Sequence, residues 1–293
     1  MLVGLLMVGG GVAAGAFGSL LGLGGGVLIV PLLTLGFGLP LREAVGVSLI
    51  CVIMTSSAAA GVYLERHVAN LRLGMTLELF TATGAFIGGS IAFLLDERLL
   101  SLLFALLLAY VAFSMLRARA VEPSLEADDA DEAGEVGASM SSSGAGANAA
   151  GTALAATARP TLLEGLSGDG YRVRNLGRGV VVATAAGVVS ALLGIGGGIM
   201  KVPLMHLAMG VPLRVATATS NMMIGITAAA SAVIYALHGG IDVFVAGPTA
   251  IGVFIGATAG SRFGHRVDLR YLRLLFVVVL VYTAIEMVLR VIG

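Results

Sequence analysis

Apolar residues run through this chain in long stretches, near positions 44–63, 73–95 and 99–116, and again near 216–237, 243–260 and 271–288. Each is close to the ~20 helical residues that cross hydrocarbon. Lipid offers backbone groups no hydrogen-bond partner, so these runs predict helices. Between the two sets, positions 117–177 change to Ala, Gly, Ser and acid, with Asp128, Asp129, Asp131, Glu132 and Glu135 followed by SMSSSGAGANAAG. Such a stretch cannot bury enough apolar area to offset chain entropy and predicts a disordered, acidic linker. The expected division is a membrane repeat at 1–116, the linker at 117–177 and a second membrane repeat at 178–293.

Two more apolar stretches are interrupted by nearly the same glycine-rich phrase, LGLGGGVLIVP at 21–31 and LGIGGGIMKVP at 193–203. Residues 1–21 have no basic n-region and lead directly into the first phrase, so they are expected to stay in the mature protein rather than leave as a signal peptide. Positions 172 apart carry like residues. Gly22 falls on Gly194, Gly24 to Gly26 on Gly196 to Gly198, and Pro31 on Pro203. Pro40, Arg42, Ser48, Thr55 and Tyr63 fall on Pro212, Arg214, Ser220, Thr227 and Tyr235. The third helices align at 168, with Gly84 on Gly252 and Gly88 on Gly256, and the last helices return to 172, with Asp96 on Asp268 and Tyr110 on Tyr282. A duplicated bundle follows, a pattern common among secondary transporters.

The arginines bear on how the two halves face. If residues 1–39 made one crossing, the halves would be parallel and the arginines would divide nine against seven. If each glycine phrase folds the chain back, as a re-entrant hairpin or two short crossings, the halves are inverted. Thirteen arginines then share one side, and only Arg42, Arg98 and Arg290 lie opposite. Basic residues accumulate on the cytoplasmic side, which favours inverted repeats, a cytoplasmic linker and both termini outside. Length agrees, since residues 27–38 span only ~18 Å of helix at 1.5 Å per residue.

Composition fixes the class. Hydrophobic residues make up 58% and charged residues 12%, with mean hydropathy +1.01, whereas a soluble domain has roughly 25% charged residues. An integral protein of the cell membrane is expected, with the lipid bilayer as its surroundings. No nucleic-acid partner is expected. Cys51, the single cysteine, lies in an apolar run; it excludes an internal disulfide framework and reads as a small buried hydrophobe.

The candidate chemistry gathers at the breaks. Gly22, Gly24, Gly25 and Gly26, with Gly194, Gly196, Gly197 and Gly198, permit backbone closed to other residues. Pro31 and Pro203 follow early in the next helices as structural parts of the motif. An unwound break ending at a helix start presents free amides that suit an anion; close helix packing is the competing reading. A dinucleotide fingerprint is excluded, since Val27 and Ile199 stand where its third glycine belongs. Lys201, the only lysine, replaces Ile29 of the first copy. An intramembrane cation is costly and usually functional. It is read here as the charge of an anion site, with snorkelling or pairing with Glu78 as the competing reading. Glu78 is itself a candidate proton-coupling group. Thr217, Thr219, Ser220 and Asn221 follow the second break, and Ser48 is their remnant in the first copy; Ser48, Ser220 and Asn221 are the candidate donors to an oxyanion. His206 reads as structural. No metal-ligand spacing or Ser/His/Asp arrangement stands out, so no cofactor, no metal and no enzyme activity are expected.

The twin GxGGGxxxVP motif in a four-plus-four helix chain with a variable linker resembles the TauE/SafE sulfite exporter family, over both halves but not the linker. The resemblance implies a transporter of sulfite, sulfoacetate or a related organosulfur anion. It carries over the motif residues Gly22, Gly24, Gly25, Gly26, Pro31, Gly194, Gly196, Gly197, Gly198 and Pro203. The function expected is secondary transport, in the export direction, of a small inorganic or organosulfur anion by alternating access. The competing reading is a non-transporting scaffold or sensor that recruits a partner through the acidic linker.

Overall fold

The computed structural model describes residues 2–20, 24–65, 69–118, 173–263 and 269–292. Nearly all of the predicted linker, residues 119–172, lies outside them, as does Gly22. Everything regular among the described residues is helical. The first half runs α1 (Leu2–Leu20), α2 (Gly26–Pro31) continued by a π-helical turn (Leu32–Gly36), α3 (Leu41–Glu65), α4 (Leu71–Leu94) and α5 (Glu97–Ala118). The second half runs in the same order: α6 (Leu176–Leu193), α7 (Gly198–Pro203) with its π-helical turn (Leu204–Ala208), α8 (Leu213–Leu237), α9 (Val243–Phe263) and α10 (Leu269–Ile292).

Six of these helices, α3, α4, α5, α6, α8 and α9, are long and apolar enough to cross a membrane. The chain is a multi-pass membrane protein. Large apolar side chains such as Leu5, Leu79, Leu106, Phe113, Val278 and Leu289 stand exposed on the outside of the bundle, where they face lipid instead of water. The helix starts are set locally. The Asn70 side chain accepts from the Leu73 amide and caps α4, while Glu97, in the first turn of α5, accepts from the Leu41 amide and caps α3.

The contacts between halves are reciprocal. α1 packs chiefly on α9, and α6, its counterpart, on α4; α3 packs on α8 and α5 on α10. The α1–α9 seam is made by glycines. A side chain at Gly252 or Gly256 would run into the backbone carbonyls of Val8 or Val12, and one at Gly260 into that of Ala16. In α4, Gly84 and Gly88 lie in the same way against the carbonyls of Thr184 and Val188. Small residues thus let helix backbones touch.

These seams correct the sequence register of the third helices. Thr184 is the counterpart of Val12, so Gly84 corresponds to Gly256 and not to Gly252; likewise Gly88 corresponds to Gly260. The offset is 172 throughout. The slip had a simple origin: Gly252, Gly256 and Gly260 recur every four residues, so a one-turn shift still matches glycine to glycine.

The seams also give direction. Contacts climb together along α1 and α9, so these helices run parallel. Gly46, near the start of α3, lies against Gly240, just beyond the end of α8, whereas Gly74, near the start of α4, lies against Thr219, near the start of α8. Arg42 and Phe93 join the same end as Gly240: the Arg42 guanidinium sits 5.3 Å from the Phe93 ring, which stacks on His238 at 4.4 Å.

Gly256→Leu should therefore destabilise the bundle by about 1–3 kcal/mol through overpacking, while Gly247→Leu, on the same helix with nothing within 4 Å, should be tolerated. Thermal unfolding of both variants in detergent checks this. Equal melting temperatures would remove the seam from the account.

Candidate functional site

Each break is a run of left-handed glycines. Gly24 and Gly25 have φ 74° and 76°; Gly194, Gly196 and Gly197 have φ 70°, 79° and 75°. A residue with a Cβ is strained there, which is why the phrase is glycine. Gly26 and Gly198 open the short helices α2 and α7. Pro31 and Pro203 end them: neither has an N–H to offer the preceding turn, and the helix beyond widens into a π-turn.

The fold brings the two breaks together. Ser48 Oγ donates to the Gly194 carbonyl at 2.8 Å and lies 3.4 Å from that of Gly26. A Cβ on Gly24 would meet Ile224 at 3.3 Å and Val52 at 3.7 Å, and one on Gly196 would meet the same two side chains at 2.5 and 2.8 Å. Val52 and Ile224 are counterparts, each midway along a 25-residue helix. The breaks therefore converge on the middle of α3 and α8.

Around the second break the chain is polar. Ser220 lies one turn before Ile224 on the same face of α8, and Thr227 one turn after. Ser220 Oγ is buried without a hydrogen-bond partner. Ser190 Oγ, on α6, is buried and partnerless too. A Cβ on Gly197 would sit 3.3 Å from the Ser190 Cβ and 3.5 Å from the Lys201 Cε, so all three crowd one spot. Ser190 was missed in the sequence. Its counterpart is Gly18, and the comparison of copies that singled out Lys201 would have found it.

Lys201 is fully enclosed, at 1% exposure. Its Nζ donates to Glu78 Oε2 at 3.1 Å and to Thr227 Oγ1 at 2.5 Å, and the Thr227 hydroxyl donates in turn to Glu78 Oε1 at 2.5 Å. A closed triangle results, joining α7, α4 and α8 and using two of the three ammonium hydrogens. The first copy has the same surroundings without the charge. A Cβ on Gly25 would meet the Ala14 carbonyl and Ile29, just as one on Gly197 meets the Ala186 carbonyl and Lys201. There Ile29, Thr55 and Ala250 stand for Lys201, Thr227 and Glu78, and Thr55 gives its hydroxyl to the carbonyls of Cys51 and Gly24 at 2.7 and 3.0 Å.

Other candidates fall elsewhere. Asn221 is buried, and its backbone carbonyl accepts from Ser56. Thr219 Oγ1 accepts from the Asn70 amide. His206 Nδ1 lies 3.0 Å from the Val211 carbonyl, a structural contact. Cys51 is buried among apolar side chains. A groove of about 390 Å³ between α1, α2 and α10 is walled by Phe17, Leu28, Leu32, Phe276 and Val279, which offer an anion nothing.

Removing one member of a buried ion pair leaves the other uncompensated, at a cost of about 3–5 kcal/mol, whereas replacing both by apolar groups is often neutral. Lys201→Ile alone should lower the unfolding temperature in detergent clearly. The double change Glu78→Ala with Lys201→Ile, which copies the surroundings of the first break, should restore most of it. A double variant as unstable as the single would contradict the pairing.

Three comparisons bear on identity. The chain is 23% identical over 286 residues to the probable membrane transporter protein YunE of Bacillus subtilis (strain 168), covering 95% of this chain and 94% of that one. It is 27% identical over 263 residues to a probable membrane transporter protein of Xylella fastidiosa (strain 9a5c), covering 89% and 85%. No solved structure matches it. The family model described as sulfite exporter TauE/SafE matches residues 7–287. The chain belongs to the sulfite exporter TauE/SafE family and is a multi-pass membrane transporter.

Proposed function

We propose that the protein carries a small oxyanion, sulfite or an organosulfonate, across the cell membrane as a secondary transporter working by alternating access around the two breaks. One observation carries the reading: two glycine breaks meet at mid-helix, with the only lysine of the chain and the buried, partnerless hydroxyl of Ser190 beside the second break, and a second such hydroxyl, Ser220, one turn of α8 from Ile224, where the breaks meet. A buried polar atom without a partner is costly, and its presence beside a cation suits a ligand that supplies acceptors. In this reading Lys201 supplies charge. Ser190 and Ser220 supply direction. The glycines of both breaks, Gly22 included, supply backbone amides.

Inverted repeats complete the proposal. Gly46 near the start of α3 against Gly240 beyond the end of α8 supports counterpart helices running in opposite directions. α1 runs parallel to α9, which starts at the end where α3 also starts; both α1 and α3 then begin at one face, which supports a chain folded back at the break. The arginine distribution supports a cytoplasmic linker. In the conformation described, Val52 and Ile224, where the breaks meet, are buried at 0% and 1% exposure. Transport then requires the breaks to part.

Uptake of labelled sulfite into proteoliposomes tests the proposal, with sulfate, thiosulfate and taurine as competitors. Wild-type protein should show saturable uptake. Lys201→Met, which loses a charged contact worth about 1.5–3 kcal/mol, should reduce it roughly tenfold or more. Wild-type uptake unaffected by Lys201→Met would remove the lysine from the path. No uptake of any of these anions by folded protein would overturn the transport reading.

A further inference from the structure

Building on the proposed anion site, we infer that transport of each anion is coupled to one proton, because the anion and the Glu78 carboxylate compete for a single ammonium group, that of Lys201. Glu78 and Thr227 already surround that group at hydrogen-bond distance. An arriving oxyanion takes over the contact now made by Glu78 Oε2. Glu78 is then a buried carboxylate whose remaining partner is one neutral hydroxyl, that of Thr227.

Among the described residues of the helices around it, no second cation replaces Lys201. On α4 and α6 the charged residues besides Glu78 are Arg72 and Arg178, both exposed near the starts of their helices. α7 and its π-turn offer Lys201 and His206, the latter bound to the Val211 carbonyl. On α8, Tyr235 gives its hydroxyl to the Ala191 carbonyl, and Arg214 sits at the far start of the helix. A carboxylate stranded at this depth is relieved by taking up a proton.

The exchange balances. One anion and one proton enter; the Lys201–Glu78 pair opens; a Lys201–anion pair and a neutral Glu78 remain. The only covalent bond formed is the carboxyl O–H, and for a monovalent anion the net charge of the site is unchanged. Release reverses each step and re-forms the ion pair, so the empty carrier also returns without net charge. A carrier loaded with the anion alone would hold an extra negative charge in hydrocarbon, which is the costly state. The first break shows how specific this is: Ile29 and Ala250, the counterparts there, have nothing to exchange.

Infrared difference spectroscopy on the protein in lipid, as sodium sulfite is added at constant pH, reads the step directly. Wild-type protein should gain a protonated-carboxyl C=O band on addition. Glu78→Gln should lose that band while sulfite still raises its unfolding temperature. In Lys201→Met the carboxyl should be protonated before any sulfite is added, so sulfite adds no band; this variant serves if Glu78→Gln does not fold. Stabilisation of the wild type by sulfite with no carboxyl band, or with the same band in Glu78→Gln, would overturn the coupling and leave the anion carrier standing. No stabilisation and no spectral change in the wild type would overturn both.

Discussion

Backbone that leaves its helix inside a membrane has no water to bond with, and the whole arrangement depends on meeting that demand. The two breaks do so by facing each other and two long helices. Thr55 of α3 covers the Gly24 carbonyl, and Ser48, from the same helix, covers that of Gly194 in the opposite half. Ser48 is thus a hydrogen-bonded tie between the two copies at their core. The glycines allow the backbones to come this close, and the seams α1–α9 and α4–α6 bring the breaks into line.

Duplication then makes the polar gains visible. Ile29 and Lys201 occupy equivalent positions, as do Ala250 and Glu78, and Gly18 and Ser190. The first break has an apolar packing core beside it. The second has a cation, a carboxylate and a hydroxyl in the equivalent places, with Thr227 joining the ion pair where Thr55 meets the Gly24 carbonyl. A site of this kind costs stability that the apolar copy does not. That cost is the physical argument for reading the asymmetry as function.

Much of this was legible in the chain. Long apolar runs, the repeated glycine phrase and Lys201 were each visible because they break a background that is otherwise uniformly apolar. The pairing of Lys201 with Glu78 belonged to the competing reading of the lysine, beside snorkelling; sequence spacing could not decide it, since the partners come from different halves and meet only in the folded bundle. Ser190 is inconspicuous as a lone serine in an Ala/Gly-rich helix and stands out only against its counterpart, Gly18. The register of α9 failed for the opposite reason, too many equivalent glycines. Ser48 was expected as a donor to substrate, and in this conformation it holds backbone instead.

A crystal structure grown with sulfite tests the central claim most directly. The account predicts an anion within hydrogen-bond distance of Lys201 Nζ and Ser190 Oγ, beside the second break, with Glu78 moved off the lysine. An anion seated elsewhere, with the Lys201–Glu78–Thr227 triangle intact, would contradict it.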